Sequence, residues 1–165
     1  VRTLVNGLPV GASAPQVSSS PENGEEEMAV AETERTIRGY LDALLSGGDF
    51  ADFFAQDVVW TTMETGEELQ GREAVRDFIV ALHRELFDAS PELGTLTTAD
   101  GAAALEAVFV GKHIAEFAGI PATGAAVRLP YSVSYDLSDD KITALGAYFP
   151  ILALAQQLRD ATVPV

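Results

Sequence analysis

Two long alternating segments in the second half of this chain constrain its fold more than any other feature. Over residues 103–115 and 127–137 apolar side chains fall on one face, the period-2 signature of strands with one side buried. Shorter strand patterns at residues 93–98 and 142–149 accompany them. Ser138, Asp139 and Asp140 supply a tight turn between the last two. Strands this long are unusual in a chain of 165 residues, and a long twisted sheet curls.

Helical patterns come mostly before them. Ile37, Tyr40, Leu41, Leu44 and Leu45 make one stripe of a helix that starts near Thr33 and stops at Gly47 and Gly48. A short helical piece at residues 50–55 leads through Asp57 to a strand at 58–63, closed by a turn at Thr65 and Gly66. A second helix is expected over residues 72–87, with Val75, Phe78, Ile79, Leu82 and Leu86 on one face. Pro91 marks its exit. A last helix, residues 151–159, turns Ile151, Leu154, Ala155 and Leu158 inward.

Helices followed by a run of antiparallel strands describe an α+β fold: a cone-shaped, curved, mainly antiparallel sheet with packed helices enclosing a pocket. Residues 31–160 form the expected domain. Residues 1–30, rich in Ser, Pro, Ala and Gly and ending in an acidic run, are expected to be a flexible tail, with Met28 a candidate native start. Docking through the acidic run is the rival reading of that segment.

Charge and cysteine content narrow the function classes. There are 25 acidic and 10 basic side chains, a formal charge of -15, which repels nucleic acid and anionic membrane surfaces. With no cysteine there are no disulfides, thiolate nucleophiles or cysteine zinc sites. The two histidines lie thirty residues apart without ligand spacing around either, and no phosphate loop or nucleophile elbow is present. The expectation is a cytoplasmic protein without metal or cofactor that takes a small apolar organic molecule.

Gly111, His113, Phe117, Gly119, Ile120, Pro121, Thr123 and Gly124 resemble the signature turn of the SnoaL-like polyketide cyclases, within the nuclear transport factor 2-like superfamily. Ala115 is the chief departure. Asp57 to Trp60 with Gly71 to Glu73, and Tyr148 to Leu152 with Gln156 to Leu158, extend the resemblance over residues 33–159. It implies the cone fold, a homodimer joined through the sheets, and cofactor-free ring closure on a polyketide in antibiotic-type biosynthesis. The family's acid/base aspartate falls at Val133. The base of the related ketosteroid isomerases falls at Thr62, and their oxyanion-holding tyrosine at Tyr40. Both carboxylates are therefore absent.

Candidate catalytic groups are His113, which alternates with Phe109 on its strand, and Tyr135. The plain alternative for His113 is a core imidazole bonded to the backbone. Tyr40, Trp60, Thr62, Phe109, Tyr131, Val133 and Tyr148 are candidate substrate contacts, against ordinary core packing. His83 borders the stripe of the second helix and reads first as a helix-face residue. With no carboxylate at the usual station, a cycloaddition guided by substrate folding suits this lining better than an aldol step. A non-catalytic binding protein of the same fold is the alternative. An epoxide hydrolase finds no support, because Glu64, Glu106 and Glu116 have easier solvated readings.

Overall fold

The computed structural model describes residues 21–162. Helix α1, Pro21–Ser46, opens with a proline, whose missing N–H costs nothing in a first turn, and carries Glu22, Glu25, Glu26 and Glu27 near its positive end. It thus begins inside the expected tail: residues 21–30 are helical, and residues 1–20 lie outside the described residues. Gly47, at φ +75°, ends α1 as a left-handed cap, with Gly48 N–H donating to Ala43 O at 2.8 Å.

A 3₁₀ turn, Phe50–Phe53, delivers the chain into β1, Phe54–Thr62. Strand β2, Glu67–Gln70, folds back on β1. Helix α2, Arg72–Val80, passes directly into a π-helical turn, Ala81–Leu86. Then come β3 (Phe87–Ala89), β4 (Glu92–Ala99), β5 (Ala102–His113), β6 (Ala126–Ser138), β7 (Lys141–Tyr148) and helix α3 (Ile151–Ala161). The sheet order is β2-β1-β7-β6-β5-β3, with β4 also paired to β5. All pairings are antiparallel except β1 with β7, so the sheet is mixed. Asp139 and Asp140, both at positive φ, make the tight β6–β7 hairpin.

Two apolar clusters fill the curl. One sets Ile37, Tyr40 and Leu41 of α1 and Val75 and Ile79 of α2 against Leu105, Tyr135 and Leu145 of the sheet. The other joins Phe87, Phe109 and Phe149 to Leu154 and Leu158 of α3. Trp60 and Tyr131 pack against both clusters and mark the seam between them.

Candidate functional site

A cavity of about 160 Å³ opens along that seam. Strand β6 contributes Tyr131, Val133 and Tyr135, alternate residues that share its concave face. Strand β1 contributes Trp60 and Thr62, β5 contributes Leu105 and Phe109, and α1 contributes Tyr40. Phe78, Leu82 and His83 come from α2 and the π-helical turn, and Phe149 and Ile151 close the far side. Leu45, Phe78 and Leu93 are lining residues that remain partly exposed, so the cavity meets the surface at apolar side chains.

The polar groups inside are few. Tyr40 and Tyr135 are each 3% exposed, with ring centroids 5.9 Å apart in an edge-on arrangement. Among the described residues, none of the hydroxyls of Tyr40, Tyr131 and Tyr135 has a hydrogen-bond partner, and none is sealed off from solvent-sized space. Burial raises all three phenols. Tyr131 is pushed up to about 12, while Tyr40 and Tyr135 rise through burial first and then through the neighbouring phenols. They stay protonated near neutral pH and act as donors. Thr62 Oγ1 accepts the Trp60 indole N–H at 3.2 Å, which leaves the threonine's own proton free.

His83 is the basic group of the lining. Its Nδ1 lies 2.8 Å from Ile79 O, four residues back, the acceptor that the backbone N–H of residue 83 would use in a regular α-helix. A carbonyl cannot donate, so Nδ1 carries the proton and Nε2 keeps its lone pair on the side of the ring away from the helix. The ring sits edge-on to Phe109, centroids 5.7 Å apart. Burial lowers the His83 pKa from its usual 6.5, the Ile79 carbonyl opposes this, and the Arg84 charge adds to the lowering. Sequence reasoning placed His83 at the border of a helix stripe; its i+4 spacing from buried Ile79 is the signal that carries it to the cavity wall.

Seven of the nine candidate side chains line this cavity: Tyr40, Trp60, Thr62, Phe109, Tyr131, Val133 and Tyr135. His113 and Tyr148 do not. His113 does face inward, fully buried, but a strand advances about 3.3 Å per residue, which sets it about 13 Å beyond Phe109. There it pairs in register with Phe87, whose ring covers it at 5.2 Å. Its Nδ1 accepts the Thr123 N–H at 3.2 Å and stands 3.0 Å from Thr123 Oγ1. Its backbone takes Gly124 N–H at 3.0 Å and donates to Ala125 O at 2.9 Å. All of these bonds fasten the loop of residues 114–125. Nε2 is buried without a partner, and burial lowers the pKa of the ring against a smaller opposing effect of the Ala115 backbone. Tyr148 is 55% exposed on the convex face, because alternation along β7 turns Ala147 in and Tyr148 out.

Glu67 is the carboxylate of the lining, and it is exposed at the rim, where its Oε2 accepts the Thr65 hydroxyl at 3.3 Å. Among the described residues no three His, Cys, Asp or Glu side chains group as metal ligands, and no helix is long and apolar enough to cross a membrane.

A family model described as SnoaL-like polyketide cyclase matches residues 35–158. No curated protein matches the chain. Solved structures do. A protein of Jannaschia sp. CCS1, provisionally named a SnoaL-like polyketide cyclase, is 17% identical with TM-score 0.72, over 90% of this chain and 100% of that one. One from Xanthomonas campestris pv. campestris, provisionally a polyketide cyclase, is 20% identical with TM-score 0.70, over 79% of this chain and 98% of that one. AclR of Streptomyces galilaeus, provisionally a hydroxylase, is 17% identical with TM-score 0.67, over 82% and 99%. At such identities the likeness is one of backbone fold, and the fold hosts more than one chemistry.

Proposed function

The chain belongs to the SnoaL-like polyketide cyclase family, and on that premise we propose that it closes a ring in a polyketide or similar apolar intermediate, with His83 as the base. One observation carries this reading: a single apolar cavity holds an imidazole with a free Nε2 and three protonated phenols without partners. In the proposed step Nε2 takes a proton from a carbon beside a carbonyl, and the enolate oxygen accepts a hydrogen bond from Tyr40 or Tyr135. The enolate carbon attacks a second carbonyl of the same folded chain, and the new alkoxide recovers the proton from the imidazolium. His83 supplies the base that Val133 and Thr62 cannot, which favours the aldol route over a cycloaddition.

The absence of an inward carboxylate among the described lining residues favours a second reading, a binding protein without turnover. One experiment separates them. Exchange of the α-protons of 2-tetralone in deuterated buffer, followed by proton NMR, reports enolisation without needing the natural substrate. Acceleration that is lost in His83→Gln supports the base. Thermal stabilisation by 2-tetralone with exchange at the buffer rate overturns it and leaves the binder.

A further inference from the structure

A second cavity, of about 90 Å³, adjoins the first and shares Leu44, Leu45, Ile79, His83 and Pro91 with it. Arg84 and Ser90, both exposed residues at the mouth of this cavity, are the polar side chains of the remaining wall. The chain carries a formal charge of -15, yet among the described residues no carboxylate lines this space. Arg84 is therefore the charged side chain of this wall, and its charge is positive.

The guanidinium lies over the glycine that caps α1: a Cβ on Gly47 would come within 2.8 Å of Arg84 Nη2. Arg38, Arg76 and Arg128 are each paired with a carboxylate, Glu34, Asp77 and Glu92. Arg84 has no such partner among the described residues, so its five donors remain available for a ligand.

We propose that the substrate is an amphiphilic acid whose rings fill the larger cavity and whose carboxylate sits in the smaller one against Arg84, beside Ser90. This rests on the ring-closure reading and deepens it by naming the substrate class. A planar guanidinium matches a carboxylate with two parallel charge-assisted bonds, where a surface of the opposite overall sign would repel it. Because His83 belongs to both walls, the carbon it deprotonates lies at the junction, between the rings and the acid group.

The full chain has one tryptophan, Trp60, and it lines the larger cavity, so quenching of its fluorescence by a naphthalene reports occupancy. Titration with 2-naphthylacetate and with its methyl ester is expected to show the acid binding roughly tenfold more tightly, the advantage shrinking as salt is added. In Arg84→Gln the acid falls to the affinity of the ester while the ester is unchanged, which also verifies the fold; Arg84→Lys restores part of the difference. An ester that binds as well as the acid, or a preference that survives Arg84→Gln, overturns the proposal and leaves ring closure standing. If neither compound quenches Trp60, the cavity takes no such ligand and both readings fall.

Discussion

The ring of Tyr40, from α1, meets that of Tyr135, from β6, edge-on at 5.9 Å, bringing two phenols from opposite layers of the fold to one place inside the cavity. Neither hydroxyl has a partner among the described residues, so their contribution to packing and their contribution to chemistry can be separated by removing one oxygen.

Tyr135→Phe keeps the ring and the edge-on contact and is expected to change the thermal midpoint little. If Tyr135 donates to the enolate oxygen, the rate of 2-tetralone exchange falls by about 10²–10³, the usual cost of losing one oxyanion donor. Tyr40→Phe distinguishes which phenol holds the larger share. Unchanged exchange in both single variants and in the double variant would leave the phenols as packing alone.

Acid should weaken the fold through the histidines. Burial holds His83 and His113 below their usual 6.5 in the native state, so in the unfolded chain they take up protons first as the pH drops. Their contribution is therefore intact above about 6.5 and is lost as the pH falls from there through the native values. Urea midpoints at pH 7.5 and 5.5 measure it, and His83→Gln should flatten the difference. The same lowering places the acid limb of kcat/KM below 6.5; a limb above that value would rule His83 out as the base.

Removing the His113 ring should cost stability and spare turnover. His113→Ala leaves a hole under Phe87 and frees the Thr123 N–H, together worth about 2–4 kcal/mol by the usual cost of core truncations and broken buried hydrogen bonds. Urea denaturation reads the loss, and exchange per folded molecule at low temperature should persist. Abolished exchange at native stability would return the catalytic role to this residue.

Gly94→Ala tests how closely β4 approaches β5. A Cβ there would stand 2.7 Å from Glu106 O, a backbone atom that cannot swing aside. The strands must part, at a cost of about 1–3 kcal/mol, typical of overpacking. Differential denaturation against wild type checks it, and a neutral result would show that the sheet edge yields freely.

The architecture was legible because the pattern is long. Eight or more alternating residues in β5 and β6, and the Ile37–Leu41 stripe of α1, each bury one face, and the structure buries those residues. Strands β2 and β3 escaped notice for the opposite reason: Glu67-Glu68-Leu69-Gln70 is polar at both faces, and Phe87–Ala89 is too short to show a period. The expected helix over 72–87 runs as α-helix only to Val80; residues 81–86 form the π-helical turn, a change of hydrogen bonding that apolar spacing does not register. In the site, alternation found Tyr131, Val133 and Tyr135 together. The same alternation gave His113 the right face and said nothing of distance along the strand, so it could not tell a cavity wall from a loop anchor. His83 was legible as a neighbour of the stripe, while its free Nε2 depends on a bond to Ile79 that only coordinates reveal.

The parallel pairing of β1 with β7 has a consequence for how the molecule comes to exist. Trp60 aligns with Leu145, and Thr62 with Ala147, so β1 waits for β7, the last strand of the described sheet, before it has a neighbour on that side. Local hairpins such as β5–β6 and β6–β7 can zip as they are made, but this long-range closure bears the full entropy of its loop and should set the folding rate. Until it happens there is no chamber: Trp60 and Thr62 stand on one ribbon, and the phenols of β6 on another.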